Sequence, residues 1–398
     1  MKKCACVIIY FFCAFINAQQ FKTGIILDSI PVSNSINETF SLYLPTTYNA
    51  NKLSPILFIF SPSGNGKNGV KTFIKSAEAY NYILICSNNS KNGPLDSNFN
   101  IAQGLFTHIF STFNIHKNQV YLAGFSGGSR LATAIATVSD LITGVIACGA
   151  GFMSSPNYIP STQNFSYVGL CGDRDFNYQE MVGVKSYLNK TELSNTLFSF
   201  EGKHEWPPNE QLLMAFNWLE MEAIKKGHTT KDNNKIKENY IKDFEKAQAV
   251  LTNNQPLTAL EHYERIINSY GSFFNLDSIQ LAQKNLKKSK PYQDTFKARK
   301  KAFEKENILT SFFINRFDKD YVNPKKNSLK WWNKELTKLN KQATNADAQI
   351  IKMHDRVRFT IFVAAYSIIN RANKTISEEQ VNFCKDLIST LKSKQRKG

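Results

Sequence analysis

Cysteine, proline and long apolar runs are all scarce in this 398-residue sequence, and each shortage excludes something. Of 7 cysteines, Cys4, Cys6 and Cys13 fall in the first few residues. The other four, Cys86, Cys148, Cys171 and Cys384, lie far apart with no metal-ligand spacing. That excludes a disulfide-framed miniprotein. Buried thiols are the expectation, with a disulfide open to them in an oxidising compartment. Twelve prolines and 19 glycines without a period exclude collagen-like or proline-rich low-complexity chains. After the first 16 residues no apolar run approaches the roughly 20 residues that span a bilayer. With 42% hydrophobic residues and 13% aromatics, the chain has ample surface to bury, and its length calls for two or three domains.

The one apolar run, residues 7–16, follows Lys2 and Lys3 and ends at Asn17-Ala18. A basic start, a short apolar stretch and a small residue are the layout of a secretory signal peptide cleaved after Ala18, which predicts a secreted or periplasmic protein. Roughly 10 residues are too few for a membrane anchor.

Charge divides the chain. Residues 1–224 hold 14 Lys+Arg against 14 Asp+Glu, and residues 225–398 hold 35 against 18, so the whole net charge of +17 is C-terminal. The two parts also differ in pattern. Short β-branched or aromatic runs at 40–44, 55–60, 82–86, 119–124, 142–148, 165–171 and 196–200 alternate with helix-like segments at 70–80, 102–113, 129–138, 178–189 and 210–222. Unbroken apolar strings such as Ile56-Leu57-Phe58-Ile59-Phe60 are expected of parallel strands buried on both faces. The expected fold is a doubly wound, mostly parallel α/β sheet followed by an all-α region, with ligands at the carboxyl ends of the strands. The predicted boundaries are a signal peptide at 1–18, the α/β domain at 19–226, a linker or solvated helix at 227–240, and a basic helical region at 241–398.

In that last region Ala247, Ala259, Tyr263 and Ile266 are spaced as in one tetratricopeptide unit, turning at Asn253-Asn254-Gln255-Pro256, with no second copy. Lys284, Lys287, Lys288, Lys290, Lys297, Arg299, Lys300 and Lys301 would form a cationic helix face, either simply solvated or a docking surface for an anionic surface or protein partner. No nucleic-acid motif accompanies it. Trp331-Trp332 and residues 359–369 read as helix core.

Chemistry concentrates around Gly124-Phe125-Ser126-Gly127-Gly128, which follows an apolar strand and precedes a helix. This is the setting in which glycine-x-serine-x-glycine makes a sharp turn that lifts a nucleophilic hydroxyl above the sheet. A serine hydroxyl needs a base and a carboxylate to orient that base. Both follow in order after later strands, in Gly172-Asp173-Arg174-Asp175 and in Lys203-His204-Glu205-Trp206. Of the six histidines, His204 alone lies beyond the serine, within the α/β segment and at a strand end.

The sequences Gly-Phe-Ser-Gly-Gly, Gly-x-x-Asp at 172–175 and His-Glu-Trp-Pro at 204–207 resemble secreted α/β-hydrolases of the polyhydroxybutyrate-depolymerase and feruloyl-esterase type over residues 35–225. The resemblance implies Ser126 as nucleophile, His204 as base and Asp175 as acid, with Asp173 as the competing acid. It also implies cleavage of a small or polymeric carboxylic ester without metal or organic cofactor. Where such proteins usually carry His-Gly after the third strand, this chain reads Ser61-Pro62-Ser63-Gly64, and proline has no N–H to give. The oxyanion donors would then be Gly127 with Ser63 or Gly64. Candidate substrate contacts are Asn88 and Asn89 in a polar loop at the same sheet end, and the aromatics Trp206 and Tyr178. Two rival readings are a serine peptidase of the prolyl-oligopeptidase type and a scaffold acting through its helical half.

Overall fold

The computed structural model describes residues 21–33, 35–325, 327–344, 346–371 and 375–393. The expected signal peptide lies outside them. Eight strands, β1 (Ile26–Pro31), β2 (Thr39–Tyr43), β3 (Ser54–Phe60), β4 (Ile83–Ser87), β5 (Ile115–Phe125), β6 (Gly144–Cys148), β7 (Ser166–Gly172) and β8 (Asn195–Phe200), form one sheet. Their order is β1-β2-β4-β3-β5-β6-β7-β8. β2 runs antiparallel to both neighbours, and β4 through β8 are parallel. This is the α/β-hydrolase fold, with a helical C-terminal half.

The continuous apolar runs follow from two covered faces. Ile56, Phe58, Phe60, Leu122 and Val145 join a core with α2 (Leu95–Thr112) and α3 (Gly127–Thr137). The alternate residues Leu57, Ile59, Tyr121, Ala123 and Ile146 join a second core with α1 (Gly66–Tyr80) and α5 (Asn209–Lys225). Side chains alternate across a strand, so a strand covered on both sides has no polar positions to show. α4 (Tyr178–Leu188) sits between β7 and β8 in the chain. β1 is absent from the sequence-based expectation. It is a half-exposed edge strand, its register shifts between Leu27 and Ile30 where Ser29 has φ +57°, and it ends in Pro31, so no alternation is left to read.

Seven helices follow: α6 (Asn233–Thr252), α7 (Pro256–Tyr270), α8 (Asp277–Lys288), α9 (Lys290–Val322), α10 (Ser328–Ala343), α11 (Ala348–Asn370) and α12 (Glu378–Ser393). Residues 233–240, expected in a linker or solvated helix, are the first turns of α6. The Asp232 carboxylate caps them by accepting from the amides of Asn234 and Lys235, and Ile236 is 2% exposed in a core shared with Met221 of α5. Ala247 and Ala259 are fully buried where α6 packs on α7. Helices α9 to α12 enclose a separate core around Trp332, Leu336, Val357 and Leu387, so Trp332 is the core residue expected of it. The lysine-rich stretch 284–301 ends α8 and begins α9. Among the described residues no helix is long and apolar enough to cross a membrane.

The helical half is joined to the sheet through its last strand. β8 is an edge, whose outward backbone groups would otherwise be unpaired. Here α7 covers it. The Glu261 carboxylate accepts from the Ser199 N–H at 3.2 Å and the Ser199 hydroxyl at 2.9 Å. Arg265 donates to the Leu197 carbonyl at 2.8 Å and lies over the Phe198 ring. One i,i+4 pair on a helix thus satisfies a donor and an acceptor of the strand. Lys185 of α4 adds an ion pair to Glu264 at 2.7 Å.

Candidate active site

β5 ends at Phe125 and α3 begins at Gly127, so the single residue Ser126 makes the whole turn, with φ +52° and ψ −119°. Such a conformation costs an ordinary residue about 1–3 kcal/mol and persists only where neighbours hold it. The Ser126 N–H donates to the Cys148 carbonyl at 2.8 Å, and its carbonyl accepts from the amides of Ser129 at 3.0 Å and Arg130 at 3.2 Å. The flanking glycines are required by close approach: a Cβ on Gly124 would overlap the Gly128 backbone, and one on Gly128 would overlap the Phe60 carbonyl.

The loops after β7 and β8 are laced together. The Asp173 amide donates to the Phe200 carbonyl at 2.8 Å and the Arg174 amide to the Gly202 carbonyl at 2.9 Å. This lacing carries Asp175 and His204 into contact from positions 29 residues apart. His204 Nδ1 lies 2.8 Å from Asp175 Oδ2, and His204 Nε2 lies 3.0 Å from Ser126 Oγ. The Asp175 side chain is 1% exposed and that of His204 12%. Asp175 Oδ1 accepts from the Asn177 N–H at 2.9 Å, and Asn177 donates to the Gly149 carbonyl at 2.7 Å, so the carboxylate is fixed from both ends. Cys171 lies against Asp175. Burial first, and the Asp175 charge second, push its thiol well above the ordinary range, which keeps it neutral beside the carboxylate.

Asp173, the competing acid, is turned elsewhere. Its Oδ2 pairs with Lys352 of α11 at 2.6 Å, and its carbonyl accepts from Arg356 Nη1 at 2.7 Å. Of the two loop carboxylates only Asp175 reaches the imidazole.

The proposed substrate contacts are redistributed by the structure. Asn88 accepts from the Gly66 amide at 3.0 Å and donates to Asp28 and Thr39, while Asn89 accepts from the Thr39 amide at 2.9 Å and donates to the Asn37 carbonyl. Both side chains tie the loop to β2, and that of Asn88 is fully engaged. Tyr178 is also corrected: it is buried in a cluster with Cys171, Met181, Leu197 and Phe303, at the start of α4. Trp206 remains half-buried, packed on Phe73 and Phe125, and lines a groove with Ser61, Ser63 and Asn65. From the 87–94 loop it is Asn92 that reaches the site, its amide oxygen resting on Gly127 Cα so closely that a Cβ there would collide with it. The Gly64 N–H donates back to the Ser61 carbonyl at 3.2 Å, which commits it within the turn. Among the described residues Cys86, Cys148, Cys171 and Cys384 are free and buried.

The sequence reading missed one group. Phe359, taken as helix core, lies 5.7 Å from the His204 ring and 5.5 Å from Phe176, which itself meets His204 edge-on at 4.7 Å. Helical periodicity identifies an inward residue but not which core it enters.

No family model matches the chain, and no curated protein matches it. Solved structures similar to it include S-formylglutathione hydrolase from Staphylococcus aureus, at 14% identity over 49% of this chain and 95% of that one, TM-score 0.41. A hyperthermophilic esterase from Pyrobaculum calidifontis aligns at 10% identity over 51% and 87%, TM-score 0.41. The feruloyl esterase module from Clostridium thermocellum aligns at 13% identity over 50% and 87%, TM-score 0.38.

Proposed function

We propose that this protein is a serine hydrolase of carboxylic esters, secreted or periplasmic, acting through an acyl-enzyme on Ser126. One observation carries the reading: the unbroken chain Ser126 Oγ, His204 Nε2, His204 Nδ1, Asp175 Oδ2, with contacts of 3.0 and 2.8 Å. Asp175 holds the proton on Nδ1 and so leaves Nε2 free to accept. Ser126 Oγ attacks the ester carbonyl and passes its proton to Nε2. The oxyanion is met by the N–H of Gly127 at the head of α3, with Ser63 as the second donor now that Gly64 is bonded within its turn. The C–O bond breaks as Nε2 returns the proton to the leaving oxygen. Water then attacks the acyl-enzyme, giving its proton to His204, and the carboxylic acid departs from a regenerated Ser126.

The test is reaction of residues 19–398 with a fluorophosphonate, with the adduct located by mass spectrometry. A single adduct on Ser126, absent in Ser126→Ala and strongly slowed in His204→Ala, is expected. A folded protein whose Ser126 stays unmodified, or ester turnover surviving in Ser126→Ala, would overturn the reading.

A further inference from the structure

Helix α11 belongs to the basic helical half, yet it is pinned to the loop that carries Asp175. Lys352 pairs with Asp173 at 2.6 Å, Asp355 with Arg174 at 3.7 Å, and Arg356 donates to the Asp173 carbonyl at 2.7 Å while held by Glu306 in a buried bidentate pair. Three successive inward positions thereby fix the register of the helix over the site. The next turn brings Phe359 onto His204. Beyond it the rings continue in a row on one side of the helix: Phe359 to Phe362 at 5.4 Å, and Phe362 to Tyr366 at 5.6 Å with planes within 12°. Spacings of three and four residues place these side chains one above another. At 1.5 Å per residue the row runs for about 10 Å. Phe359 and Phe362 are half-buried and Tyr366 is 49% exposed, so the row leads from the imidazole to solvent.

Its position relative to the chemistry gives the row a role. The leaving oxygen must take its proton from His204 Nε2, and so must lie within hydrogen-bond reach of that nitrogen. Of the rings packed on His204, Phe125 is buried in the sheet core; Phe176 and Phe359 are half-buried and continue into the row. Resting on the ester-hydrolase reading above, we propose that Phe176, Phe359, Phe362 and Tyr366 form the leaving-group site, and that it selects esters of alcohols bearing an aromatic ring. Ring faces in series favour a flat ring over an alkyl chain, through offset or edge-on contacts worth more than area alone. The acyl group lies away from this row, beside Ser126, Gly127 and the groove at Trp206.

The experiment compares native protein with Phe362→Ala, Tyr366→Ala and Tyr366→Phe on two matched sets: arylmethyl against methyl acetate, which vary the alcohol, and methyl arylacetate against methyl acetate, which vary the acid. Tyr366→Ala should lower kcat/KM for the arylmethyl ester about three- to tenfold, and Phe362→Ala by at least as much. The loss on methyl esters of both acids should be far smaller, and Tyr366→Phe, which keeps the ring, should retain the preference for the arylmethyl ester. A loss falling on the arylacetate set, or equally on every ester, overturns the assignment, and an equal loss with cyclohexylmethyl acetate overturns the aromatic class. Fluorophosphonate reaction at Ser126 separates this from failure of the triad, because fluoride leaves without using the row. The variants should label at the native rate, whereas an unlabelled native protein would fault the hydrolase reading itself.

Discussion

In residues 26–200 buried side chains alternate along strands and divide between two cores, whereas in 233–393 they recur at helical spacing around two further cores. The first half carries Ser126, Asp175 and His204, and the second carries the net charge. By composition they are a neutral domain and a basic appendage. Their contacts say otherwise. Arg356, 1% exposed and 183 residues beyond Asp173, bonds the backbone of the loop that carries Asp175, and Glu261 with Arg265 completes the hydrogen bonding of β8. What joins the halves is a few buried polar side chains, each with a named backbone partner. The helical half therefore acts as a wall of the site.

The largest separation should come from two carboxylates two residues apart. Asp175→Asn keeps the shape but destroys the tautomer control on His204, and kcat should fall about 10⁴-fold, the size of effect seen when a triad acid is neutralised elsewhere. Asp173→Asn cuts only the pair with Lys352, so kcat should stay within a few-fold of native. Steady-state kinetics on any accepted ester decides between them, and a reversed order would return the acid role to Asp173.

The buried pair between α9 and α11 is the next lever. Burial raises the Glu306 carboxyl, and the Arg356 hydrogen bonds and charge pull it back. Arg356→Ala leaves that carboxyl buried without its partner, which costs about 3–5 kcal/mol and should lower the unfolding temperature markedly. Replacing both, Arg356→Met with Glu306→Leu, should recover much of the stability but not the bond to the Asp173 carbonyl. If the halves were independent, the double variant would have native kcat; a reduced kcat in a stable double variant shows that the helical half positions the acid loop.

How much of this was readable beforehand depends on whether a residue's role is set by its own strand or by a distant partner. Seven strands were legible, because two-sided burial writes itself as apolar runs, and the residues Ser126, Asp175 and His204 that the structure brings into contact lie at strand ends. β1 was not, since Ser29 and Pro31 break its alternation. The choice between Asp173 and Asp175 turns on Lys352, far along the chain. Asn88 and Asn89 have the composition of a polar rim, yet their amides hold the loop to Gly66, Thr39 and Asn37. Phe359 shows the limit most clearly: its spacing on α11 is that of a core residue, and its neighbour is His204.

A smaller effect should come from the covered edge. Glu261→Ala leaves the buried Ser199 N–H and hydroxyl without their acceptor, at a cost of about 1–3 kcal/mol. Native-state hydrogen exchange at the Ser199 amide should speed by the corresponding factor. An unchanged rate would mean that α7 is not what protects β8, and the comparison between a joined and an appended half would lose one of its two supports.

The smallest effect is a matter of pH, and it belongs to the helical half. His262 of α7 is buried, and burial first, with the charges of Arg265 and Lys246 adding to it, pushes its imidazole down to about 2. The folded protein keeps it neutral, while the unfolded chain takes up a proton below about 6.5. The stability it contributes is thus complete above that value and is lost as pH falls from there toward 2, by at most about 1.4 kcal/mol per pH unit. Asp243 and Glu306 act in the opposite sense, since burial raises both, but they do so nearer the ordinary carboxylate range. Between pH 7.5 and 5.5 the histidine should dominate, and His262→Leu should flatten the fall in unfolding temperature. The slope will not vanish, because burial also lowers His108 and His228. A variant whose unfolding temperature falls with pH as steeply as the native protein's would place the acid sensitivity in the α/β half instead.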